Sequence, residues 1–229
     1  MKKIIAMLLV LSMVLAFAGC AGKKAMTHDE YMAAALDAEV TVEFYVQATQ
    51  GWWFDDEVGH GKITVYGQDK DGGYFAYELN CDEETGAKLV PGTKIRVAGY
   101  KAEWEGEVEI MDGTVEVVKN GDTYIATALD VTDLLGKDEL IDHQNELVAF
   151  TGLTVEAIEY KNGEPGNDIY VTLSKDGASY NFCVESYLTG PDSDVYKAVG
   201  ELAAGDVVNV EGFLYWYQGV NTHITAVSK

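Results

Sequence analysis

Residues 89–100 and 202–213 of this 229-residue chain carry one pattern twice, 113 positions apart. Leu89 matches Leu202, Gly92 matches Gly205, Val97 matches Val210 and Gly99 matches Gly212. The same shift lays Trp104 on Tyr217, Gly106 on Gly219, and Val40-Thr41-Val42-Glu43 on Leu153-Thr154-Val155-Glu156. Between these anchors Lys70-Asp71-Gly72 meets Lys175-Asp176-Gly177 at a shorter spacing, because segment 49–61 is longer than 161–167. A glycine pattern kept in place, with length changes confined to a loop, restricts the chain to folds built from two copies of one small unit.

Each copy reads in the same order. A strand (40–48; 153–160) leads into a hairpin (62–68 with 74–80; 169–174 with 179–185) whose Asp-Gly turn suits positive φ. A short polar helical segment follows (82–89; 194–203). Then a long strand passes through a Gly turn into the last strand (93–104 with 107–118; 206–217 with 220–227). Twenty-four glycines against three prolines, with 11% aromatic residues, fit short strands and tight turns. Five strands with a helix between the third and fourth is the order of an OB-fold. The stretch L-x-x-G-x-x-[IV]-x-V-x-G-[YF] resembles the third-to-fourth strand transition of bacterial OB-folds. The expected class is therefore all-β: two tandem OB-fold-like five-stranded Greek-key barrels with an N-terminal helix. The first unit covers 27–118, a linker 119–146, and the second unit 147–229. Thr27 and Glu30 form a capping box for a helix over 29–37. The linker is expected to hold an added strand at 124–128 and a helix at 131–142, so that the barrels pack on each other.

The first residues read as an address. Met1-Lys2-Lys3 is a basic start, 4–17 is an apolar run too short to span a bilayer comfortably, and small residues precede Cys20. Phe17-Ala18-Gly19-Cys20 resembles a bacterial lipobox, with Phe17 where Leu is usual, and the chain resembles tandem OB-fold lipoproteins. That resemblance implies a signal peptide over 1–19, lipid on Cys20, a tether over 20–26 and an extracytoplasmic protein anchored to the cell membrane.

The formal charge is −22 and the pI about 4.3. Such a field repels phosphate backbones, and Arg96 is the sole arginine, so nucleic acid is disfavoured as a partner. It also opposes docking on anionic lipid through a basic patch. Apolar content of 48% excludes an acidic disordered chain.

OB-folds bind ligands over strands two and three and between the loops joining strands one to two and four to five. In the first copy those loops hold Trp52, Trp53 and Phe54, and Trp104. Strand parity puts Ile95 and Val97 inward and Trp104 outward, and likewise Tyr215 and Tyr217 outward in the second copy, provided no bulge intervenes. The expected ligand-binding set is Trp52, Trp53, Phe54, Trp104, Tyr215 and Tyr217, an aromatic surface beside carboxylates suited to an envelope glycan, peptide or protein. The alternatives are rings that only close the barrel mouths in a structural envelope protein with a protein partner, and single-stranded nucleic acid.

Asp55, Asp56, Glu57 and His60 share one loop and supply oxygen ligands of the kind calcium takes, against a plain solvated charge run. Asp69-Lys70-Asp71-Gly72 reads as a hairpin turn. Cys81 and Cys183 fall at non-equivalent places in the repeat and read as separate thiols. His28, His143 and His223 are scattered, and no nucleophile or phosphate-loop motif accompanies them. The expectation is a non-catalytic protein without a cofactor.

Overall fold

The computed structural model describes residues 24–229. The leader and Cys20 lie outside the described residues. Helix α1, His28–Ala33, opens on the expected capping box: Thr27 Oγ1 accepts from Glu30 N at 3.2 Å, and Glu30 Oε2 accepts from Thr27 N at 2.9 Å. It ends earlier than expected. Lys101 Nζ donates to the carbonyls of Met32 and Ala34 at 2.6 and 3.0 Å, satisfying groups that a further turn would have used.

The first barrel comprises β1 Glu39–Thr49, β2 Trp53–Asp55, β3 His60–Gln68, β4 Gly73–Asn80, helix α2 Glu83–Gly86, β5 Lys94–Trp104 and β6 Glu107–Val117. Its neighbours run β1-β5-β6-β4-β3, and β3 returns to β1, so the sheet closes; β4 and β6 are parallel and the other pairs antiparallel. The second comprises β7 Leu129–Asp130, β8 Leu147–Tyr160, β9 Ile169–Lys175, β10 Ala178–Val184, α3 Ser186–Thr189, α4 Asp194–Gly200, β11 Val207–Phe213 and β12 Asn221–Ser228. It closes through β11 on β8, with two parallel pairs, β10 with β12 and the short β7 with β8. Both barrels thus have OB-fold-like topology, and the all-β tandem class holds.

Alternation fills each barrel. Val40, Val42, Phe44, Val46, Ile95, Val97 and Ile110 are buried in the first, and Val148, Phe150, Leu153, Val155, Val208, Val210 and Ile224 in the second. The repeat extends to backbone detail. Gly92 and Gly205 have φ of 89° and 92°, and their amides donate to Val46 O and Val155 O at 2.8 Å each. At both positions a side chain would be strained.

Three expectations for the connections change. Segment 124–128 forms no strand; the two-residue β7 pairs in parallel with β8 instead. Segment 131–142 folds as two 3₁₀ turns, Thr132–Leu134 and Asp138–His143, interrupted near Gly136 at φ 77°. Val131 and Leu140 from this stretch are buried in the second core, which holds it down. The long loop of the first copy carries a strand of its own, β2, on the edge of β3.

The barrels meet along a dense joint. Tyr66 and Phe75 of the first pack with Phe213 of the second. Tyr66 Oη and His223 Nδ1 are 2.7 Å apart, and Leu147 N donates to Gln68 Oε1 at 2.8 Å. Gln144 Nε2 donates to Gly106 O at 2.8 Å, and Asn145 Nδ2 to Val108 O at 3.0 Å. Cys81 and Cys183 are free, buried thiols.

Candidate ligand cleft at the barrel joint

The second and third strands of the first copy, β3 and β4, present Tyr66, Phe75 and Tyr77 on the face where an OB barrel receives ligands. Barrel two covers most of it, burying Tyr66 and Phe75. A cleft of about 540 Å³ remains beside the covered part. Phe75, Tyr77, Trp104 and Tyr215 supply its rings, and Glu103, Glu109 and Glu185 its carboxylates, with His223 and Gln50 completing the wall.

Packing fixes the floor. Tyr215 stacks on His223 with centroids 4.3 Å apart and planes 17° from parallel, and meets Phe75 edge-on at 5.3 Å. His223 is pinned from behind by Tyr66, and burial pushes its pKa down to about 4, so the ring is neutral.

The carboxylates differ in what they have for company. Glu107, with 0% exposure, lies in the joint; its Oε2 accepts from Trp216 N at 2.8 Å and Gln144 Nε2 at 3.2 Å, while Oε1 has no hydrogen-bond partner among the described residues. Burial raises its pKa to about 8, although those donors pull the other way. Glu109, two residues along the same face of β6, lines the cleft at 5% exposure. No hydrogen bond or ion pair of its carboxylate is found among the described residues, and burial alone raises its pKa to about 7. Glu185 accepts from Gln50 Nε2 at 3.1 Å, and burial followed by repulsion from Asp168 raises it to about 7.

The expected aromatic set is divided by the fold. Trp104, 59% exposed, lines the joint cleft with Tyr215. Tyr217 lines an adjoining cleft on barrel two with Tyr170 and Asn221, and the two clefts share Glu185 and His223. Trp52 is a half-buried plug: Nε1 donates to Cys81 O at 2.7 Å and the ring packs over Gly61 and Gly86, where a Cβ would strike it. Trp52 and Phe54 border a separate shallow cleft with His60, and Trp53 lies beneath Lys62 Nζ at 5.2 Å. The expectation that Trp52, Trp53, Phe54, Trp104, Tyr215 and Tyr217 form one aromatic surface is therefore corrected. Strand parity for Trp104 and Tyr215 survives because the irregularities at Gly99 and Gly212 place the extra residue in the partner strands β6 and β12.

The calcium reading of Asp55, Asp56, Glu57 and His60 is also corrected. Asp55 accepts from the amides of Glu57 and Val58 and pairs with Lys62 at 2.9 Å, while His60 Nδ1 lies 3.2 Å from Gly61 O. Among the described residues no three acidic, His or Cys side chains are grouped to hold a metal ion.

Glu109, Glu185, Tyr77 and His223 were not singled out from the sequence. Glu107 and Glu109 alternate with inward residues on β6 and so read as solvent-facing; only the arrival of barrel two buries them.

No family model matches the sequence, and no curated protein matches it. Among solved structures, a murine DNA-binding protein bound with double-stranded DNA is similar over 82% of this chain and 94% of its own, at 10% identity and TM-score 0.40. The p202 HIN1 domain in complex with 12-mer double-stranded DNA covers 86% of this chain and 94% of its own, at 11% identity and TM-score 0.39. A replication protein A heterotrimer bound to single-stranded DNA covers 79% of this chain and 45% of its own, at 12% identity and TM-score 0.34. The expectation of an envelope glycan, peptide or protein ligand, with nucleic acid disfavoured, is corrected against these DNA-bound structures and is withdrawn.

Proposed function

We propose that this chain is a non-catalytic binding protein whose joint cleft takes a small organic cation. An ammonium group sits on Glu109, and its carbon chain lies against Phe75, Tyr77, Trp104 and Tyr215. Glu109 carries the reading: a carboxylate 5% exposed, with no hydrogen bond or ion pair found among the described residues, faces a ring-lined cleft. A buried carboxylate without a partner is costly, and a cation with N–H donors removes the cost. Aromatic faces add cation–π attraction. The test is calorimetric titration of the full chain with n-butylamine and benzylamine at pH 8. Saturable binding that disappears in Glu109→Gln, which keeps the shape, is expected; no heat with either amine overturns the reading.

The second reading is single-stranded nucleic acid, with bases stacked on the exposed rings. The exposure of Trp104 at the cleft mouth favours it, since any base has a face to stack. Salt-dependent oligonucleotide binding that is lost in Trp104→Ala would carry it over the first; no binding at low salt would remove it.

We also propose a lipid anchor at Cys20, supported by the lipobox-like Phe17-Ala18-Gly19-Cys20 behind a basic start and an apolar run. Cys20→Ala should move the protein from the membrane to the soluble fraction; unchanged fractionation overturns the anchor.

A further inference from the structure

Of the three carboxylates in the joint cleft, the two withdrawn from solvent, Glu109 and Glu185, lack an ion pair among the described residues, and they belong to different barrels. Glu109 is on β6 of the first, and Glu185 follows β10 of the second. No salt bridge to either is found among the described residues. The stacked Tyr215 and His223 rings lie along the cleft with them. Glu185 belongs to the His223 end, where Gln50 bonds it and also reaches Tyr66 Oη, the partner of His223. Glu109 lines the same cleft, together with Tyr77 and Tyr215. Both acids thus share the cleft with the ring pair, and among the described residues no three acidic, His or Cys side chains are grouped to hold a metal ion.

We propose that the ligand is a linear dication, a short aliphatic diamine, with one ammonium on Glu109, the other on Glu185 and its methylenes over the Tyr215–His223 pair. This rests on the reading of the cleft as a cation site. Charge complementarity at both ends and an apolar contact between them match such a molecule. A metal ion would need the oxygens on one point. A monoamine on Glu109 leaves Glu185 without an ion pair among the described residues. Tethering the second ammonium to the first makes its encounter with Glu185 intramolecular, so the second contact adds to affinity with little further loss of freedom. Because the acids come from both barrels, the diamine would also staple the joint.

The experiment is a calorimetric series on the full chain at pH 8, comparing diamines from 1,3-diaminopropane to 1,8-diaminooctane with monoamines of equal length. At least one diamine is expected to bind about tenfold or more tighter than its monoamine, with an optimum length. Glu185→Gln should remove the advantage of that diamine over its monoamine, whereas Glu109→Gln should weaken both. Monoamines binding as tightly as every diamine would overturn the bridging geometry and leave the single-cation site standing. Failure of both classes would overturn the cation site and the bridge together. The wild-type series decides this alone, should either variant lose its fold.

Discussion

Glu105 and Gln218 hold the same position in the two copies, and they bond to each other. Gln218 N donates to Glu105 O at 2.7 Å, and Gln218 Nε2 donates to Glu105 Oε2 at 2.9 Å. Both have positive φ, 52° and 56°, as the residues ahead of Gly106 and Gly219 in equivalent turns. The duplicated turn joining the last two strands therefore serves as one of the contacts between the copies.

That contact is packed tightly at Gly106. Its φ is 95°, and a Cβ there would lie 2.8 Å from Trp216 Cδ1. Gly106→Ala is expected to lower stability by about 1–3 kcal/mol through backbone strain and the displaced ring. Gln218→Ala removes one exposed side-chain bond and should cost no more than about 1 kcal/mol. Urea melts of the two variants test the ordering; equal losses would show that the packing of Gly106 against Trp216 contributes no more than the exposed Gln218 bond.

Glu107 makes stability depend on pH. Burial raises its carboxyl from 4.5 to about 8. The folded state therefore favours the protonated form. The stability this contributes is complete below the unfolded value, drains as pH rises from there, and is gone above about 8. The loss amounts to at most about 5 kcal/mol. Glu107→Gln keeps an acceptor for Trp216 N and removes the charge. Its stability relative to wild type is expected to rise between pH 5 and 9. Parallel pH profiles would contradict the assignment.

Trp52 and Trp53 are adjacent and should behave oppositely. Trp52 seals the barrel mouth and donates to Cys81 O, so Trp52→Ala is expected to cost about 3–5 kcal/mol. Trp53 is 41% exposed under Lys62, and Trp53→Ala should cost less than about 1 kcal/mol. Denaturant midpoints of both variants measure the contrast.

Cation binding should tighten with pH. Burial holds the Glu109 carboxyl at about 7, and the cation needs it ionised. The neighbouring acids act together with it, Glu185 sharing the same value and Glu107 lying higher; His223 stays neutral. n-Butylamine affinity is expected to rise about tenfold from pH 6 to pH 8. Binding at pH 7 should release about half a proton per site, read as heats that differ between buffers of unequal ionisation enthalpy. Affinity that is flat across this range would show that Glu109 is already charged.

The repeat, the strand order and the capping box were all legible along the chain, because they rest on neighbours in sequence: alternation of apolar residues, glycines where φ is positive, and Thr27 three residues before Glu30. The outward direction of Trp104 was legible for the same reason. Its partners were not. Trp52 and Trp104 look alike as loop aromatics, yet one fills a space left by Gly61 and Gly86 and the other stands at a cleft. Glu109 on an outward strand face is indistinguishable from any solvated acid until Tyr215 and His223 arrive from more than a hundred residues away. Local periodicity determined two barrels and which residues point out of them. Only the docking of one barrel on the other decided which outward residues lose water, and loss of water is what turns a surface carboxylate into a site.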